Sequence, residues 1–120
     1  MIDTNIVIDL LRGHLLPPTQ VQIYTCAIVL GELYFGARKS SDPTGQLRSV
    51  NEFLENVPII DCDKDTATEY SLLRHALEAA GGRIPENDMW IAALAIQHQL
   101  TLVSRDAHFA RISGLTIETW

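Results

Sequence analysis

Four carboxylates stand out in this chain because of the company they keep: Asp3, Glu32, Asp88 and Asp106. Asp3 closes the short apolar start Met1-Ile2, and Asp106 follows directly on Leu102-Val103-Ser104. Glu32 interrupts the apolar run Ala-Ile-Val-Leu-Gly-Glu-Leu-Tyr-Phe-Gly-Ala, and Asp88 opens the run Met-Trp-Ile-Ala-Ala-Leu-Ala-Ile. A carboxylate in such surroundings loses hydration on burial, a cost of several kcal/mol unless it is paired, protonated or bound to a metal. Cationic partners are few: Arg38 is distant along its helix, and Lys39 and Lys64 are the only lysines. A divalent cation is the natural counter-charge. Several carboxylates around an open cavity favour Mg²⁺ or Mn²⁺, which prefer oxygen ligands and keep waters. Such ions polarise a phosphoryl oxygen and make a bound water a better nucleophile. No Cys/His set and no Ser/His/Asp arrangement competes, so phosphodiester hydrolysis is the chemistry these residue types match best.

Each acid taken alone has a plainer reading. Asp3 can cap the first helix, and Asp106 can cap a short helix at Ala107. Asp88 suits the first turn of a helix, where the dipole favours negative charge. Glu32 is the hardest to explain that way. Together the four favour a site.

These acids must be positioned by a fold of alternating strand and helix signals. Ile2-Asp3 reads as a strand end. Thr4 or Asn5 caps a helix carrying Ile6, Val7, Leu10 and Leu11 and stopped by Gly13. Val21 to Thr25 is a β-rich run, Ala27 to Arg38 a buried helix, and Asp42-Pro43 starts another. Val57 to Ile60 is a strand placed near an edge by Pro58. Asp63 or Asp65 caps a helix bearing Ala67, Tyr70, Leu73, Leu77 and Ala80, which Gly81-Gly82 stop. Glu86 to His98 is a strongly apolar helix, Leu102 to Ser104 a strand, Ala107 to Ile112 a short helix, and Leu115 to Glu118 a last strand. The pattern predicts an α/β fold, a three-layer doubly wound sheet, mainly parallel. Ligands bind outside the carboxyl ends of the strands in such sheets, where Asp3 and Asp106 fall.

The 120 residues are the length of one domain, with 47% apolar and 20% charged residues, enough for a core without staples. No apolar run approaches the roughly 18 residues that span a bilayer. The acidic start lacks the basic-then-apolar pattern of a secretory leader, so a cytoplasmic protein without a membrane partner is expected. Cys26 and Cys62 lie in apolar stretches with no CxxC spacing, and both are read as buried thiols. The formal charge of −6 argues against non-specific duplex binding but not against a substrate bridged by metal. Arg12, Arg38, Lys39 and Arg105 are candidates for phosphate contact.

The segments Met1-Ile2-Asp3-Thr4-Asn5, Gly31 to Ala37 (GELYFGA), Ile84 to Ala93 (IPENDMWIAA) and Ser104 to Phe109 (SRDAHF) resemble, in order, the sequential motifs of PIN-domain proteins, and more narrowly of VapC-type toxins. The resemblance runs from end to end and implies one PIN-like domain over 1–120. It implies that Asp3, Glu32, Asp88 and Asp106 form the family's acidic quartet, catalytic and metal-binding, holding one or two Mg²⁺ or Mn²⁺ ions. Asn5 and Ser104 sit at polar positions beside the acids, where they could orient a ligand or water. It further implies cleavage of RNA, often tRNA, silencing by a VapB-like antitoxin whose C-terminal segment enters the groove, and a homodimer. The chain departs from the pattern at its first strand, where only Met1 and Ile2 precede Asp3; a clipped strand would weaken the placement of Asp3. A non-catalytic PIN-like module that binds protein or RNA is the alternative, and a DNA-directed nuclease would use the same acids. A phosphoacceptor domain would need a lysine after a later strand, and neither lysine stands there.

Other features are read as structural. Asp61-Cys62-Asp63-Lys64-Asp65 begins like a calcium loop, but Thr66 and Leu72 stand where Gly and Glu are required. His98 and His108 are read as structural or surface residues, Trp90 as core or dimer interface. Tyr34 and Phe35 divide between core packing and reception of an antitoxin helix.

Overall fold

A computed structural model describes all 120 residues. Helix α1 spans Thr4–Leu11, α2 Ala27–Lys39, α3 Pro43–Leu54, α4 Lys64–Ala79 and α5 Glu86–Gln97. The strands are brief: β1 Thr25–Cys26, β2 Ile59–Ile60, β3 Leu102–Val103 and β4 Ile117–Glu118. A 3₁₀ turn covers Ala107–Arg111.

The strands pair in parallel, β1 with β2 (Thr25 opposite Ile59) and β3 with β4 (Leu102 opposite Ile117). The first three residues join the two pairs. Ile2 forms a parallel bridge with Val103, and its N–H donates to the Tyr24 carbonyl at 2.9 Å. The Val103 N–H donates to Met1 at 2.8 Å, and the Asp3 N–H to Val103 at 3.2 Å. The expected α/β architecture with parallel pairing is therefore present. The first residues make a single bridge, at Ile2, and Asp3 is firmly held. Its backbone is tied to β3 and it is 6% exposed.

Local chemistry explains the helices. Asp3, not Thr4 or Asn5, caps α1, its carboxylate accepting the Ile6 N–H at 3.1 Å. Asp42 caps α3 ahead of Pro43. Asp63 and Thr66 form a capping box at the start of α4, which accounts for the calcium-like run as a helix start. Gly81 follows α4 at φ +74°, a conformation side chains resist. In α2, Val29, Leu33 and Ala37 recur every fourth residue and are buried, so Glu32 stands one position off the buried stripe and half-buried. Helix α5 is buried almost all round, from Met89 through Ala95. It packs against α4 and α2, in a core with Ile2, Ile6, Val7, Leu102 and Phe109. Burial of each such large side chain is worth about 1.5–3 kcal/mol.

Three expectations are corrected. The β-rich run from Val21 contributes only Thr25 to a strand, because Val21 and Gln22 are exposed and find no partner strand. Likewise β2 begins at Ile59, after Pro58, whose carbonyl accepts the Thr25 N–H at 3.0 Å. Cys26 is buried, whereas Cys62, placed just before the Asp63 cap, is exposed. Trp90 lies half-buried in a parallel stack on Tyr70, ring centroids 4.0 Å apart. No helix is long and apolar enough to cross a membrane.

Candidate active site

Asp3, Glu32, Asp88 and Asp106 come from four separate segments and line one open cavity of about 680 Å³. Asp3 reaches it from the end of the N-terminal strand, Asp106 from just beyond β3, Asp88 from the first turn of α5, and Glu32 from the middle of α2. The cavity lining includes no Lys or Arg.

Hydrogen bonds fix how the acids point. The Ser104 hydroxyl, 2% exposed, donates to Asp3 Oδ2 and accepts the Asp106 N–H at 3.0 Å, so one buried side chain links two of the acids. Both oxygens of Glu32 are engaged, Oε2 by the Thr4 hydroxyl and Oε1 by Asn87 Nδ2 at 3.0 Å. Asp106 caps the 3₁₀ turn, its Oδ1 accepting the His108 N–H at 2.9 Å. The His108 ring turns back toward the acids, with Nδ1 at 2.9 Å from Asp106 Oδ1 and 3.3 Å from Asp88 Oδ2.

The electrostatics agree with the geometry. Burial pushes the Asp3 carboxyl above its ordinary value, and the nearby charges of Asp106 and Glu32 add to this, while the bonds from Ser104 and Ile6 oppose it. Burial also raises Asp88, again with Asp106 and Glu32 adding and His108 opposing. Mutual repulsion in a partly buried cavity without Lys or Arg is relieved by a divalent cation, and an all-carboxylate set is the donor chemistry that Mg²⁺ or Mn²⁺ accepts. The residues present therefore fit such an ion.

Ser104 thus lies beside the acids, as expected. Asn5 lines the cavity, but it is Thr4 that holds an acid. None of the four basic candidates lines the cavity. Arg105 is committed to Asp9 and, at 3.2 and 3.3 Å, to the Trp120 carbonyl. Arg12 lines an adjoining groove that shares Glu32, and Arg38 is exposed on the last turn of α2. Lys39 lies 4.9 Å above the ring of Phe35, which itself lines the cavity and is exposed. Tyr34 instead donates to Asn51 at 2.6 Å.

The reading of His108 as structural or surface is corrected, since its ring faces two of the acids. Thr4 and Asn87 were also missed. Both sit immediately beside an acid in sequence, and His108 stands two residues after Asp106, the spacing at which an Asp side chain accepts the backbone N–H of a turn. A fifth acid, Glu86, borders the cavity but accepts the Tyr70 hydroxyl and lies 3.8 Å from Arg74.

Comparison with known proteins gives a match to the PIN domain over residues 1–115. The chain is 32% identical to Ribonuclease VapC2 of Haemophilus influenzae, with all of this chain and 96% of the relative covered. It is 28% identical, over the same shares, to the tRNA(fMet)-specific endonuclease VapC of Shigella flexneri. Among solved structures it resembles VapBC2 from Rickettsia felis bound to a DNA fragment from their promoter, with a TM-score of 0.90 at 32% identity and coverage of 100% and 97%.

Proposed function

Because the chain belongs to the PIN-domain family, we propose that it is a metal-dependent endoribonuclease acting as the toxin of a toxin–antitoxin pair. The observation that carries the chemistry is the convergence of four carboxylates, from four segments, on a cavity lined by no Lys or Arg. Asp3, Glu32, Asp88 and Asp106 would hold one or two Mg²⁺ or Mn²⁺ ions. Bound there, the ion supplies Lewis-acid polarisation of the phosphodiester and a more acidic water. Ser104 fixes the rotamers of Asp3 and the backbone of Asp106, and Thr4 with Asn87 holds Glu32, so the acids are set before substrate arrives. Asp88 Oδ1, the oxygen not turned to His108, is available to take the proton of the attacking water. Phe35, which lines the cavity, and Lys39 above its ring would be the side chains to meet the nucleic acid.

The substrate class we favour is RNA, with tRNA the first candidate, since a full-length relative is named a tRNA(fMet)-specific endonuclease. A VapB-like antitoxin is the proposed partner, on the likeness to VapBC complexes, and a homodimer the proposed assembly. Asp3, Glu32, Asp88 and Asp106 are the residues we assign to catalysis.

The test is incubation of total cellular RNA with purified, antitoxin-free protein, in Mg²⁺ or Mn²⁺ against EDTA, with Asp88→Asn alongside. Discrete products that need metal and vanish in the variant are expected. Products that persist in the variant under matched metal would refute the assignment of the acids.

A further inference from the structure

His108 is the one nitrogen donor among the acids, and its placement is built rather than incidental. Asp106 heads a tight turn in which its Oδ1 accepts the His108 N–H at 2.9 Å. The next residue, Phe109, is anchored in the core at 1% exposure. Between these two constraints the imidazole is directed back over the acids although 43% of its side chain remains exposed. Nδ1 lies 3.3 Å from Asp88 Oδ2 and 2.9 Å from Asp106 Oδ1, and one ligand atom from each of the three residues lies within 4.8 Å of the other two, near enough for one ion to touch all three.

We propose that His108 Nδ1 is a metal ligand beside Asp88 and Asp106, making this position a mixed nitrogen–oxygen site that takes a divalent transition ion, manganese, in preference to magnesium. The inference rests on the reading of the cavity as a metal site and names which ion that site selects. An all-carboxylate set discriminates weakly between Mg²⁺ and Mn²⁺, because both accept hard oxygen donors. An imidazole changes that balance. Mg²⁺ demands oxygen ligands in near-ideal octahedral geometry and gives up its waters reluctantly, whereas Mn²⁺, the hardest of the divalent first-row transition ions, takes a nitrogen ligand at less cost than Mg²⁺ does. Coordination through Nδ1 leaves Nε2 to carry the ring proton, on the side of the ring away from the acids.

An ion pair of His108 with the two acids would use the same contacts, so the test must read the metal–nitrogen bond itself. The full chain, free of antitoxin, is loaded with Mn²⁺ and measured by pulsed electron paramagnetic resonance, and Mg²⁺ is titrated against it. His108→Ala and His108→Gln are measured in parallel, with circular dichroism to confirm folding. Wild type is expected to show ¹⁴N modulation that both variants lose, and the Mn²⁺-over-Mg²⁺ preference is expected to fall about tenfold in both. Bound Mn²⁺ without ¹⁴N modulation, or an unchanged preference in both variants, overturns the nitrogen ligand and leaves the metal reading standing. Failure of wild type to bind Mn²⁺ at all overturns both.

Discussion

Asp88→Asn should stabilise the metal-free protein while removing most of its response to magnesium. Asp88 and Asp106 each bring a carboxylate oxygen within 4.8 Å of the other's. At an effective dielectric of ~20 their repulsion is about 3 kcal/mol. His108 and the N-terminus of α5 offset part of this, the latter by about 0.3–1 kcal/mol. The upward shift of the Asp88 carboxyl fixes the sign of the balance: ionised Asp88 costs stability. Asparagine keeps the shape and drops the charge, so a net gain of about 1 kcal/mol is expected in EDTA, or ~4 °C in Tm for a chain of this size. Wild type should respond to Mg²⁺ at a hundred times its dissociation constant by about 2.7 kcal/mol, near 10 °C, and the variant by less than a third of that. The assay is a set of thermal melts at pH 7.5 and constant ionic strength. The pH dependence has a definite sign. Asp3 and Asp88 both titrate above the ordinary 3.8 when folded, so their contribution to stability is complete below that value and is lost as pH rises through the folded values. Metal needs the deprotonated carboxylates, so the magnesium-induced rise should instead grow from pH 5 to pH 7.5. A variant less stable than wild type in EDTA, or one that keeps the full magnesium response, would refute the electrostatic reasoning.

Further predictions follow from single contacts. The Thr25 hydroxyl is fully buried with no hydrogen-bond partner, so Thr25→Val, which keeps the β-branch, should raise stability by about 1 kcal/mol; a lower Tm would show that the hydroxyl is satisfied. Asn87→Ala frees one oxygen of Glu32 and should lower RNA cleavage about tenfold with little change in Tm; unchanged cleavage would mean that Thr4 alone fixes the glutamate. The Cys26 thiol is pushed up to about 11 by burial, and that of exposed Cys62 is raised by partial burial and by Asp61 and Asp63. Ellman's reagent at pH 8 should therefore titrate one thiol in the native protein, more slowly than free cysteine, and two in denaturant.

The sequence carried the acids and the order of elements because both are local signals. An acid that interrupts an apolar run is visible without coordinates, and so are the helix start at Pro43 and the stop at Gly81. What failed was anything decided by partners distant in sequence. Val21 and Gln22 have strand propensity but no strand beside them. Cys62, expected to be buried, points out, for it is flanked by Asp61 and Asp63, the latter capping α4. Glu32 meets Thr4 and Asn87 across 28 and 55 residues, a convergence that no spacing rule reports. Only part of the His108 placement was within reach of a local argument: an aspartate that heads a turn binds the backbone N–H two residues on, whereas the approach of the ring to Asp88 spans 20 residues.

For three of these acids, standing at a helix start and lining the cavity coincide. Asp3 is the N-cap of α1, Asp106 is the N-cap of the 3₁₀ turn, and Asp88 lies in the first turn of α5. In a parallel α/β fold the chain leaves the carboxyl end of a strand and enters the N-terminus of a helix, so strand ends and positive helix ends collect at one edge. Backbone N–H groups there donate to carboxylates at little cost, and capping holds those carboxylates in fixed rotamers. The same bonds that start the helices therefore pre-position the acids and lessen their repulsion. Glu32, in the middle of α2, has no helix end to lean on, and it alone needs two side-chain donors, Thr4 and Asn87. It follows that alanine at Asp3 or Asp106 removes a cap, worth about 1 kcal/mol, together with the charge, and confounds folding with chemistry. Asparagine retains an oxygen that can cap, and Asp88 carries no cap at all, which is why Asp88→Asn separates the two most cleanly.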